Sequence, residues 1–414
     1  SGVITTVAGT QDAGFDGDGP ATARRLSSPW GVAHAGSTIY FADLLNGRVR
    51  TVASGALSTI AGPGSVTSPS PAGATQLGAP EAVAVIGDDV YVADTANCVV
   101  RRLRAGELTV VAGTGACGSA LTGSPTTSQL RGPAGLLASG SDLYIADSDN
   151  HRVLLLSGGS LGLVAGSAAG FPGSSGDGGA AQDARLARPI GLALDAGGLI
   201  VADSGNDRLR RVAPNGVITT VAGTGPTQLD APRDVGVDPE GRIVVADTGN
   251  NRIRRVAANG AITTIAGNGA LGSGGDGGGA LSASFAQPGG LAVGPDGLVY
   301  VADTLNHRIR VVTPSGTVQL LGGATTTPGF GGDGSRAAQG RFAFPAGLAV
   351  DDEGDVIVAD VANDRVRRIN AIAVPSAPPS VVATAGSTSA TVVFQPSVDD
   401  GGLPTLRYQA TASP

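Results

Sequence analysis

The sequence contains no lysine and no methionine. All 27 of its basic side chains are therefore arginines, and with 34 acidic residues the net charge is -7. Nucleic-acid binding rests on neutralising phosphates, so an acidic chain of this kind is not expected to bind nucleic acid. Aromatic residues make up only 3 % of the chain. A core must then be assembled from Val, Ile, Leu and Ala, which suits thin sheets stacked tightly together. No stretch approaches the roughly 18 uninterrupted apolar residues that a membrane-spanning helix requires, so no membrane insertion is expected. Two cysteines are too few to define a disulfide framework. The chain shows no signal-peptide pattern and does not begin with methionine, which suggests a segment of a longer, multidomain protein. Glycine, by contrast, is abundant at 67 residues. Arginine without lysine, beside so much Gly and Ala, points to a GC-rich coding sequence and a bacterial source.

What is present above all is one repeated phrase. An Ala-Asp pair is followed by Asn three residues after the Asp, and usually by Arg two further on. Its aspartates are Asp43, Asp94, Asp147, Asp203, Asp247, Asp303 and Asp360. The gaps between them are 51, 53, 56, 44, 56 and 57 residues, in the range of propeller or solenoid repeats.

The shortest unit shows how one repeat folds. Pro232 to Val237 is a short apolar segment, and Asp238-Pro239-Glu240-Gly241 has the composition of a turn. Ile243-Val244-Val245-Ala246-Asp247 is apolar at successive positions, as a strand covered on both faces must be. After the turn at Thr248 to Asn251, Arg252-Ile253-Arg254-Arg255-Val256 reads as a half-buried strand, and Ile262 to Gly267 is the fourth. Four short antiparallel strands per unit, repeated radially, describe a propeller blade. The small residues of the first strand, as in Gly191-Leu192-Ala193-Leu194, fit the narrow space near the axis.

The two ends of the repeat region match each other. Gly2-Val3-Ile4-Thr5-Thr6-Val7-Ala8-Gly9 repeats the fourth strand Gly216 to Gly223, while the seventh unit stops at Arg367-Arg368-Ile369 without one. The N-terminal strand is thus predicted to complete the last blade and close the ring. The fold class is all-β, a seven-bladed propeller of four-stranded antiparallel blades.

Pro288 to Arg310, which reads Pro-x-Gly-Leu-Ala-Val and then Tyr-Val-Ala-Asp-x-x-Asn-His-Arg-Ile-Arg, resembles the NHL repeat. The Gly-Asp-Gly inserts and Thr-Thr-Val-Ala-Gly strands are most similar to secreted bacterial NHL proteins and to the NHL propeller of teneurins. That resemblance implies a binding platform more often than an enzyme, although lyases occur on similar propellers. It also implies an extracellular, secreted or cell-surface location.

The domain reading is a propeller over residues 1–372, a Pro-rich linker over 373–379, and a second unit over 380–414. Val381-Val382-Ala383, Ala390 to Phe394 and Leu406-Arg407-Tyr408 resemble the start of a fibronectin type III domain, with Phe394 at its usual Trp position and Tyr408 at its third-strand Tyr. About forty residues cannot complete a sandwich of about 100, so this unit is expected to be partial.

A feature present in every blade cannot mark a single site. The repeated Asp is expected to accept turn N–H bonds, the Asn to sit in a left-handed turn, and the Arg to pair with a carboxylate. Gly-Asp-Gly inserts around Asp18, Asp177, Asp276 and Asp333 are read as turns. A weak calcium site at Asp12, Asp16 and Asp18 is the alternative, although calcium needs 6–8 oxygen ligands. His151 and His307 occupy a variable turn position and are expected to be exposed. With His34 they make no zinc triad. Cys98 lies in a second-to-third strand turn and Cys117 in the following insert. Both loop types open on one face, so a disulfide is preferred to two free thiols, and it would indicate an oxidising compartment.

Function is sought where the symmetry breaks. The residues after each blade's proline should ring one mouth of the central channel: Trp30, Glu81, Ala134, Ile190, Arg233, Gly289 and Ala346. Blades 1, 2 and 5 supply the only Trp, an acid and a base, and Asp234 replaces the next glycine of blade 5. Trp30, Glu81, Arg233 and Asp234 are therefore the candidate ligand-binding residues. The leading reading is a non-catalytic scaffold for a protein or glycan ligand. A lyase-like enzyme with chemistry near Glu81, Arg233 and Asp234 is the alternative, and a structural spacer is the third.

Overall fold

The structure is a computed structural model. It describes residues 2–10, 12–62, 77–105, 107–223, 229–257 and 259–370, together with the backbone of two strands at Val381–Ala385 and Ala390–Phe394.

Seven antiparallel sheets form seven blades. In blade 6 the strands run Pro288–Val293, Val299–Asp303, Arg308–Val312 and Val318–Gly322, from the axis outward. The second strand is buried at every residue in blades 2, 5, 6 and 7. It lies mid-blade with a neighbouring blade on each face, so its unbroken apolar character follows from being covered twice. Seven clusters of Val, Ile, Leu, Ala and Phe, two of them with a buried Tyr, fill the seven seams between blades. One of them joins Ile357 and Val366 of blade 7 to Phe41 and Val52 of blade 1.

The ring closes as its sequence requires. Ile4–Ala8 pairs antiparallel with Arg365–Ile369, with Ile4 opposite Ile369, and becomes the outermost strand of blade 7. Glycine in the Pro-x-Gly phrase has a reason beyond taper. A Cβ on Gly135 would lie 2.2 Å from the carbonyl oxygen of Ile190, and one on Gly347 would lie 2.3 Å from that of Trp30. The innermost strands of adjoining blades approach too closely there for any side chain.

Of the stretch read as a partial fibronectin-type unit, only one hairpin is described, Val381–Ala385 paired with Ala390–Phe394. It does not amount to a sandwich. The linker at 373–379 and Tyr408 lie outside the described residues. Among the described residues, no helix is long and apolar enough to cross a membrane.

Candidate functional site

The repeated turn is the frame around the site. Every repeat Asp is fully buried. In all seven blades its Oδ1 accepts a backbone N–H from the segment leading to the innermost strand, at 2.6–2.8 Å, as from Ser27 to Asp43 and from Ala343 to Asp360. The Asn three residues on donates its Nδ2 to the same carboxylate at 2.7–3.0 Å. Among the described residues, in five blades it also donates to an insert carbonyl, for instance Asn306 to Gly272. The turn thereby holds the blade's own second strand and the incoming chain together. Burial pushes the carboxyls of Asp43, Asp203, Asp303 and Asp360 up to about 6, against the pull of these donors.

The arginine expectation needs correction. In six blades the guanidinium beside the repeat Asp comes from seven residues on, not five: Arg50, Arg101, Arg210, Arg254, Arg310 and Arg367, at 2.6–3.6 Å. Blade 3 alone uses the nearer position, with Arg152 Nε 2.8 Å from Asp147 and Leu154 at the farther place. The other arginines at the nearer position donate to loop carbonyls, as Arg48 does to Asn46 and Arg208 to Ser174. Of these, Arg308 also reaches a carboxylate, that of Asp276. Blade 2 can carry Val99 at that position because Arg101 makes its ion pair.

The Gly-Asp-Gly inserts do more than turn. Asp18, Asp177, Asp276 and Asp333 each reach the buried arginine of the blade that follows, at 2.6–3.2 Å. In blades 1, 4, 6 and 7 one guanidinium therefore lies between two carboxylates. The calcium alternative finds no cluster here. Asp16 accepts the Arg25 N–H, Asp12 faces the Arg25 guanidinium, and Asp18 serves Arg50 and Thr59. Among the described residues, no three His, Cys, Asp or Glu side chains converge.

The variable turn position is a latch between blades, and His151 and His307 are not the exposed groups expected. The left-handed backbone expected at the repeat Asn falls one residue later, on Gly47, Cys98, His151, Asp207, Asn251, His307 and Asp364, with φ of 54–58°. Five of them accept the N–H of the residue before the next blade's proline: Asp364 from Ser28, His151 from Arg188, Asp207 from Ala231, Asn251 from Gln287 and His307 from Phe344. His307 is 5 % exposed and packs edge-on against the Phe344 ring. The signal was a short acceptor (Asp, Asn or His) at a left-handed position. Gly47 has no side chain, and Cys98 is bonded instead to Cys117, with Cα atoms 5.2 Å apart.

Inside this frame, all seven post-proline residues line one cavity of about 310 Å³ at the channel mouth. Arg233 is exposed, and its guanidinium carbon lies 5.4 Å from the centre of the Trp30 ring. Blades 1 and 5 are not neighbours, so this cation–π contact crosses the mouth. Glu81 is half-buried between them. Burial raises its pKa, Arg233 and Arg188 pull it back, and Asp149 pushes it further up. Asp234 is differently used. Its two oxygens accept the N–H groups of Val235 and Leu291, each at 2.9 Å, so it bridges blades 5 and 6 at a position where five blades have glycine and blade 2 has Ala82. Burial raises its pKa also. Asp149 and Arg188, which sequence reasoning did not single out, stand beside the mouth 3.6 Å apart.

The chain is 30% identical over 228 residues to teneurin-4 of Mus musculus, and 28% identical over 241 residues to teneurin-1 of the same species. Each match covers 47% of this chain and 8% of the teneurin, so the chain spans under a tenth of the length of these relatives. Among solved structures, a streptogramin B lyase superposes with a TM-score of 0.57 at 15% identity, covering 83% of this chain and 93% of that one. An auxiliary nutrient binding protein from Bacteroides thetaiotaomicron VPI-5482 gives 0.51 at 15% identity, covering 89% and 76%. At such identities the likeness establishes the fold and nothing of the chemistry. The family described as SMP-30/Gluconolactonase/LRE-like region matches residues 173–386, just over half of the chain. Seven blades built on the repeated Asp-Asn turn and this match together place the chain in the SMP-30/gluconolactonase/LRE-like family.

Proposed function

We propose that the chain is a non-catalytic, extracellular recognition scaffold for a protein or glycan ligand, with its site at the channel mouth. The observation that carries this reading is the loss of symmetry at the channel mouth. The turn network repeats in every blade, while the mouth sets Trp30, Glu81 and Arg233 among Ala134, Gly289 and Ala346. A Trp face and an exposed Arg are the side chains most enriched where proteins bind partners. The Cys98–Cys117 bond supports an oxidising, extracellular setting. Similarity to teneurins and the fold shared with a nutrient binding protein fit the same reading. In this proposal residues 1–372 form the recognition unit, 373–379 link it onward, and 380–414 begin a fibronectin type III-like module.

Glycan and protein arrays, probed with the wild type and a Trp30→Ala/Arg233→Ala variant, test the reading. Hits lost in the variant support it, and hits retained move the site off the mouth. A lyase-like activity is the second reading, favoured by the raised pKa of the half-buried Glu81 beside two arginines. Turnover of an array ligand that Glu81→Gln abolishes, with binding kept, would establish it instead.

A further inference from the structure

The mouth holds two chambers that share one partition. Trp30, Glu81, Ala134, Ile190 and Arg233 line both the channel cavity of about 310 Å³ and an outer cavity of about 390 Å³. Their other walls differ. Below the partition, six aliphatic side chains stand at one register of the innermost strands: Val32, Val83, Leu136, Leu192, Leu291 and Leu348. In blade 5 Asp234 lines the wall instead, with both oxygens already taken by backbone N–H groups. Apart from Glu81 on the partition, the inner chamber thus offers a ring of apolar side chains, and its other carboxylate, Asp234, has a donor on each oxygen.

Above the partition the wall is charged. The hydroxyls of Thr95 and Ser148 are turned away, donating to the carbonyls of Pro133 and Pro189. What remains is two acids, Glu81 and Asp149, and two bases, Arg188 and Arg233. A simple anion entering this chamber meets two carboxylates, and a simple cation meets two guanidiniums. A ligand that carries both charges close together satisfies both pairs. Arg188 and Asp149 face each other at 3.6 Å with their side chains 67 % and 49 % exposed, and such a pair gives way to a ligand at little cost.

We propose that the mouth binds a free α-amino acid with an apolar side chain. Its ammonium lies against Glu81 and Asp149, its carboxylate against Arg188 and Arg233, and its side chain passes Trp30 into the aliphatic ring of the channel. This rests on the mouth being a recognition site, and it goes beyond that reading in naming a small zwitterion as the occupant.

Calorimetric titration of the 414-residue chain at neutral pH tests it. The probes are L-phenylalanine and L-leucine, set against 3-phenylpropionate, which lacks the ammonium, 2-phenylethylamine, which lacks the carboxylate, and glycine, which lacks the side chain. At least one of the two amino acids should bind, and each truncated probe should bind about tenfold more weakly or worse. Glu81→Gln and Arg233→Gln should each weaken the amino acid by a similar factor while leaving the melting curve in place. No heat with either amino acid overturns the proposal, as does 3-phenylpropionate binding as well as L-phenylalanine. If a variant fails to fold, the probe series on the wild type decides alone. If neither amino acid binds while array hits still vanish in Trp30→Ala/Arg233→Ala, the mouth recognises something else and only this proposal falls. Hits that survive the double change remove the parent reading as well.

Discussion

The buried turns and the mouth they surround lie on one face of the ring and follow opposite rules. In the turns, the same fully buried Asp of every blade accepts from the same two donors, a backbone N–H and the Asn Nδ2, and even the guanidinium is kept when its position in the chain shifts. Blades 2 and 3 show this best. Blade 2 has Val99 and Arg101, blade 3 has Arg152 and Leu154, and each ends with one arginine against its Asp. At the mouth nothing is kept. Positions equivalent by register hold Trp, Glu, Ala, Ile, Arg and Gly, and the side chains remain open to solvent or to each other. The difference separates what the fold needs from what is free to be used for binding.

The sharpest way to break the comparison is inside the turns. Arg310→Ala would leave Asp303 and Asp276 without their shared guanidinium, and a loss of about 3–5 kcal/mol is expected in denaturant unfolding. Arg152→Ala should cost a similar amount. Arg208→Ala, at the same place in the repeat phrase, should cost about 1 kcal/mol or less, because it holds only a loop carbonyl. Equal effects at Arg152 and Arg208 would contradict the assignment of partners.

Next in size is the seam between blades 2 and 3, which has a covalent bond in place of a latch. Cys98→Ser/Cys117→Ser opens a closure of 19 residues and should lower stability by about 3 kcal/mol, read from the same unfolding curves. A smaller effect isolates the latch itself. Asp207→Gly keeps the left-handed backbone easy to adopt and removes only the acceptor for the Ala231 N–H, for an expected cost of about 1 kcal/mol. A change within error would mean that the latches orient the incoming strand without stabilising it.

Much of this was legible in the chain. The repeat phrase set the blade number, and the N-terminal strand announced its pairing with Arg365–Ile369. The ring of post-proline residues followed from the register of the innermost strands. The arginine partner was not legible for a geometric reason. Residues five and seven after the Asp lie two apart on one strand and so face the same side, and periodicity cannot choose between them. Insert carboxylates such as Asp276 meet their arginine more than thirty residues away, with nothing local to mark the pairing. The latch was hidden because Asp, Asn and His share a role without sharing a name. Arg188 could have been noticed, as the only charged residue among those that precede the blade prolines. Asp149, from a turn that elsewhere reads as scaffold, could not.

The central claim is that the mouth can be altered without touching the frame, and that recognition goes with it. Array binding by the Trp30→Ala/Arg233→Ala variant, with its melting curve alongside, tests this most directly. The account predicts a melting temperature within about 2 °C of the wild type and loss of the wild-type hits. An unchanged melting curve with every hit retained would contradict it.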